Sequence, residues 1–243
     1  QKIWKNRASK VLTIGYFVIL SFIALIASIK FDIGIFKFHF AEMGIFNFPY
    51  IWHFNTFIAA FLKIFLAVII VSMMANEYSY GTLKQNLIDG MSKKELILSK
   101  FLTIVLFAGI STLFVFVMSL FLGYGFSSYT EIGIVFSDLE YLLAYFVKLL
   151  GFFSFCLFLG VLIKRSAFAL GSLFIWFIFE KISYGILKFN IYNKSPKVDD
   201  VYAFMPLESM SNLLIEPFTR LNSVKNLQEA VGENSLKDYD VHL

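Results

Sequence analysis

Apolar residues run almost without interruption through residues 11–29, 56–74, 101–123, 141–163 and 167–187. Each run is close to the ~20 residues that a helix needs to cross the hydrocarbon core. Water is absent there, so the backbone amides must be satisfied within the segment, and each run is predicted to be an α-helix. No sustained apolar/polar alternation occurs, which argues against a membrane β-barrel. The expected fold is therefore all-α, a polytopic bundle with five visible spans.

The polar connections carry a second pattern. Leu83, Leu87 and Ile88 recur at helical spacing, with Lys84, Gln85 and Asp89 on the other side. Gly90 suits the left-handed end of such a helix. Ser92 and Glu95 have the spacing of a capping box opening the third run. A short amphipathic helix is thus expected between the second and third spans. Near the C-terminal end, Pro206 suits a helix first turn and Pro217 a stop. Leu207, Met210, Leu213 and Leu214 fall on one face. That segment either lies along the membrane surface or packs on the bundle.

Composition agrees with the pattern. The chain is 58% hydrophobic and only 16% charged, and its mean hydropathy is +0.74. A soluble domain is nearer half apolar and a quarter charged. The net charge of +4 is gathered in short clusters, which favours topology and lipid headgroups over nucleic acid. Lys2, Lys5, Arg7 and Lys10 precede the first span; Lys84, Lys93, Lys94 and Lys100 lie between the second and third; Lys164 and Arg165 separate the fourth and fifth. These regions alternate so as to share one side, which is expected to be cytoplasmic, with the N-terminus there too. The opposite loop of residues 30–55 is rich in aromatics, among them Phe36, Phe38, Phe40, Phe46, Phe48, Tyr50, Trp52 and Phe54. Interfacial anchoring at the headgroups accounts for them, and a re-entrant or substrate-contacting segment would use the same residues.

Candidate chemistry is sparse. The single cysteine, Cys156, sits inside an apolar run and reads as packing. His39, His53 and His242 are too scattered for a metal site, and no Gly-x-x-x-x-Gly-Lys-Ser/Thr loop occurs. Lys63, Lys148 and Glu180 fall within spans, each about eight residues from the outer end, or ~12 Å deep. Intramembrane charges tend to face the interior and pair. Glu180 is therefore expected to pair with Lys148 or Lys63 in one layer at the outer mouth of a pathway; snorkelling is the other reading for the lysines. Gly151, Gly160 and Gly171 read as points of close helix approach.

The block Glu77, Gly81-Thr82-Leu83, Gly90, Ser92-Lys93, Glu95 and Lys100 resembles the signature of type-2 ABC transporter permeases, in its motif, its place after the second span and its span spacing. The Pro206-Leu207 stretch is similar to that family as well. The resemblance covers the layout of nearly the whole chain. It implies a permease subunit of an exporter in the cell inner membrane, paired with a second copy or a paralogue. A separate ATPase chain would supply ATP and magnesium, and this chain would hold no cofactor of its own. Residues 1–190 would be the transmembrane domain, with a cytoplasmic coupling helix at about 77–90 docking on the ATPase. Glu77 would contact a groove on the ATPase, and Gly81 and Thr82 would allow close approach. Helix capping is the simpler reading of Glu77 and Thr82. Six spans are implied, so residues 191–243 would be an extracytoplasmic segment before a last span expected beyond Leu243. Two rivals stay open: an ion- or proton-coupled secondary transporter, which would need internal repeats or broken helices, neither of which the sequence shows, and a non-transporting membrane immunity or assembly protein.

Overall fold

A computed structural model describes residues 7–28, 31–33, 36–38, 44–191 and 197–218. The architecture is helical. In chain order it comprises α1 (Arg7–Ser28), a hairpin of β1 (Phe31–Ile33) and β2 (Phe36–Phe38), α2 (Tyr50–Phe61), α3 (Lys63–Ser79), α4 (Thr82–Ile88), α5 (Lys93–Phe126), α6 (Ile132–Val135), α7 (Glu140–Ile163), α8 (Ser166–Ile186) with a π turn at Leu187–Ile191, α9 (Lys197–Tyr202) and α10 (Pro206–Ser211). The hairpin is antiparallel, with Asp32 opposite Lys37. It is a small departure from the all-α expectation.

Among the described residues four helices, α1, α5, α7 and α8, are long and apolar enough to cross a membrane, and the α2–α3 pair makes a fifth if counted as one span. The expected second span, 56–74, needs correction. The helical path starts earlier, at Tyr50, and is bent by 46° where α2 meets α3. At the bend, Leu62 N–H bonds to Ala59 C=O and Phe65 N–H to Leu62 C=O. These tight three-residue bonds replace the regular ladder and turn the axis.

Helix α7 is the hub. It packs most extensively on α3, then on α5, α8 and α2. Its buried positions, Leu142, Tyr145, Leu149, Phe152, Phe153, Cys156 and Gly160 among them, keep three- and four-residue spacing. A Cβ on Gly160 would lie 3.2 Å from Met74 Cβ, so the glycine lets α3 and α7 approach. Gly151 faces Met210 in the same way, whereas Gly171 meets nothing within 4 Å. Cys156 is buried packing.

The outer circumference is apolar. Helix α5 buries a single stripe, through Ile104, Ala108, Ser111 and Val115, and exposes Leu102, Leu106, Leu113 and Phe121. Helix α8 buries only Ala169 and Glu180. A surface of this kind suits hydrocarbon rather than water.

The aromatic loop departs from the expected interfacial belt. Phe46, Phe48 and Trp52 are core residues, at most 2% exposed. Trp52 Nε1–H donates to Val135 C=O at 2.8 Å and stacks on Phe116. The Phe48 ring occupies the space where a side chain on Gly123 would stand. The side chains of Phe36, Phe38 and Phe40 lie outside the described residues, as do Lys2, Lys5, His39, His242 and residues 219–243.

Candidate functional site

Two polar clusters stand out from this apolar bundle, one at each end of α3 and α7. The first surrounds the connection between α3 and α5. Helix α3 runs on to Ser79, so Glu77 belongs to its last turn and not to the short helix. Gly81 then takes φ +68° and breaks the path. This left-handed conformation favours glycine. A Cβ there would meet nothing within 4 Å. Within this chain the glycine is required by its backbone angle.

Helix α4 follows and closes as the sequence suggests. Gly90, at φ +96°, allows Gly90 N–H to reach Leu87 C=O and Met91 N–H to reach Asn86 C=O, the bonds of a Schellman motif. Ser92 and Glu95 then form the expected capping box, with bonds of 2.8 and 3.2 Å. No residue of α4 is buried. Leu83 and Leu87 are half-buried toward the bundle, but Ile88 does not share their face and is 84% exposed.

The Glu77 carboxylate is turned inward, at 4% exposure, and not toward the surface. Lys100 Nζ donates to Oε1 at 2.6 Å, and Thr82 Oγ1 donates to Oε2 at 2.5 Å. One carboxylate thus joins the end of α3, the first residue of α4 and the second turn of α5. Such charge-assisted bonds are stronger than neutral ones. Tyr78 fastens the same corner to α7 by donating to Val161 C=O at 3.3 Å. The result is an elbow in which α4 is bonded to α3 directly and to α5 through the shared carboxylate.

The second cluster lies around Glu180 on α8. Glu180 is 1% exposed, but it pairs with neither Lys148 nor Lys63. Its carboxylate accepts from Trp176 Nε1–H (2.7 Å), Leu207 N–H (3.0 Å) and Glu208 N–H (3.2 Å). Leu207 and Glu208 are the second and third residues of α10. Their amides have no partner within the helix, and Met205 provides no side-chain cap. Glu180 supplies the cap from another helix, where the helix dipole also favours an anion.

Lys148, on α7, serves the opposite end. Its Nζ donates to Ser211 C=O at 3.2 Å, the last residue of α10. At the Glu180 end an exposed ion pair from Lys181 to Glu208, 3.0 Å, adds to the attachment, and Met210 packs on Gly151. So α10 is docked on α7 and α8, in keeping with the packed reading of that segment, and it ends at Ser211, short of the stop expected at Pro217, so Leu213 and Leu214 lie beyond the helix. Lys63 stands apart at the α2–α3 bend, with Nζ 4.4 Å from the centre of the Phe152 ring.

Sequence reasoning did not find Trp176, Glu208 or the Ser211 carbonyl, nor a partner for Lys181, which adjoins Glu180 in the sequence. A usable signal existed: a helix opening at Pro206 needs an acceptor for two amides, and no nearby side chain offers one. Deeper in the bundle, Tyr16 and Tyr145 hydroxyls bond at 2.8 Å, and Asn55 Nδ2 donates to Ser119 Oγ at 2.8 Å. No group of His, Cys, Asp and Glu among the described residues could hold a metal.

A search of curated proteins and of solved structures finds no match. Residues 16–198 match a family model described as Protein of unknown function (DUF2705). That stretch includes Glu77, Thr82, Lys100, Lys148 and Glu180, hence the whole first cluster and the α7 and α8 side of the second, while α10 lies beyond it. It covers well over half of the chain, which therefore belongs to the DUF2705 family.

Proposed function

We propose that this chain is the permease subunit of an ATP-driven exporter, with five membrane-crossing segments in this stretch and the N-terminus on the cytoplasmic side. The observation that carries the reading is the elbow. A short exposed helix between two membrane-length helices is joined to both through Glu77, Thr82 and Lys100. The clustering of Lys84, Lys93, Lys94, Lys164 and Arg165 supports a cytoplasmic position for it.

In this reading a separate ATPase, binding ATP and magnesium, seats on α4. Ile88 is the apolar knob offered to it, with Lys84, Gln85 and Asp89 around it. Closure of the ATPase pushes α4. The Glu77 carboxylate passes the displacement to α3 and α5, and α3 passes it to the hub helix α7. A second bundle of the same or a related kind completes the pathway between them. Glu77, placed inside the elbow, acts as the tie and not as the docking residue.

The test is affinity purification of the full chain from its native membrane in mild detergent, followed by identification of bound chains and an ATPase assay. A nucleotide-hydrolysing partner should accompany the parent chain and be lost from Ile88→Asp. Purification of the parent with no such partner refutes the reading.

One observation favours a secondary transporter instead. The α2–α3 break, with Lys63 at its edge, is the kind of interrupted helix that such proteins use at ion sites. Proteoliposomes containing this chain alone would then accumulate substrate on an imposed ion gradient without ATP.

A further inference from the structure

A groove of about 870 Å³ opens between the first turns of α5 and the last turns of α7. Its walls are Ile97, Leu98 and Phe101 on one helix and Leu157, Phe158 and Val161 on the other. Leu98 and Phe158 are 55% and 57% exposed. At its mouth stand Lys93 and Lys94. Both lie in the first turn of α5, the positive end of the helix dipole, so the potential there is positive twice over. Glu95 also borders the mouth; its carboxylate accepts Ser92 N–H in the capping box and keeps its charge, so the three side chains together leave a net +1 there.

The dimensions suit one leaflet. From Lys93 to Phe101 the helix rises ~12 Å, against ~15 Å for half the hydrocarbon core. The groove therefore begins among headgroups and ends within the acyl region, with its cations at the headgroup end.

We propose that this groove binds an anionic diacyl phospholipid of the cytoplasmic leaflet, its phosphate between Lys93 and Lys94 and an acyl chain along Leu98, Phe101 and Phe158. The inference rests on the proposed topology, with the start of α5 on the cytoplasmic side of the membrane, and not on ATP-driven transport. Charge selects the occupant. A zwitterionic lipid would set its own cation beside two lysines, and a purely apolar helix of a partner would leave both lysines without an anion.

The full chain, purified in mild detergent and exchanged into mixed micelles of dioleoyl phosphatidylglycerol or dioleoyl phosphatidylcholine, is examined by native mass spectrometry for retained lipid. The parent should retain phosphatidylglycerol in preference to phosphatidylcholine. The double change Lys93→Gln/Lys94→Gln should weaken phosphatidylglycerol retention about 30-fold, the effect of two surface cations. Leu98→Trp, which fills the groove from an exposed position and keeps both lysines, should lower it too. Equal retention of the two lipids by the parent overturns the proposal. So does undiminished phosphatidylglycerol retention in either variant, or a photo-crosslink from position 98 to a protein chain with no lipid retained.

Discussion

Glu180→Gln isolates the function of a carboxylate that does not make the ion pair expected of it. In the parent, three N–H groups converge on the two oxygens, at 2.7, 3.0 and 3.2 Å. Hydrogen bonds to a charged partner contribute about 1.5–3 kcal/mol each, against about 1 kcal/mol for neutral ones. The amide retains one oxygen, which can still accept from Trp176 and Leu207 with neutral strength. Its NH₂ group then confronts Glu208 N–H, donor against donor, and that bond is lost. The sum is a loss of about 3 kcal/mol in the docking of α10, or a closed-to-open ratio reduced about 100-fold. Amide hydrogen exchange reports the opening directly. Peptides covering residues 203–212 should exchange about 100-fold faster in Glu180→Gln, while peptides from α5 should be unchanged. Equal exchange in parent and variant would refute the capping role.

Lys100→Met should lower stability by about 3–5 kcal/mol, because Glu77 stays buried after losing this cation. The double change Glu77→Gln/Lys100→Met should recover most of it, since Gln can still accept from Thr82. Thermal unfolding in detergent checks the cycle, and strict additivity would disprove the coupling. Gly123→Ala should cost about 1–3 kcal/mol in the same assay, because its methyl would stand 2.2 Å from the Phe48 ring; Gly171→Ala, in open space within α8, should be neutral or stabilising by up to about 1 kcal/mol. Gly81→Ala should cost about 1–2 kcal/mol from backbone angle alone, seen as faster proteolysis between α3 and α4.

Local rules read well here where their partners are close in sequence. Ser92 and Glu95 are three residues apart, and Gly90 follows its helix directly, so the cap and the turn were readable from spacing alone. The long apolar runs were readable for the same reason. The bend at Leu62 was not, because Ala59-Ala60-Phe61-Leu62-Lys63 contains neither proline nor glycine and nothing local marks it. Phe46, Phe48 and Trp52 misled because an aromatic ring suits the headgroup region and a packed core equally. Glu180 misled because the simplest partner for a buried anion is a cation, whereas its partners are backbone amides 27 and 28 residues away. Glu77, Thr82 and Lys100 were singled out as a set, but not as one contact.

Helix α10 is held at one end by a side chain of α8 and at the other by a side chain of α7. Six residues of helix measure ~9 Å, so α10 behaves as a spacer of fixed length between its two neighbours. Any splaying of α7 from α8 must first release one of its ends. The two ends differ in strength: two amides bonded to an anion, with the Lys181–Glu208 ion pair beside them, at one, and a single bond to a carbonyl at the other. Separation would therefore start at Lys148, leaving the rod hinged on Glu180 like an unlatched bar.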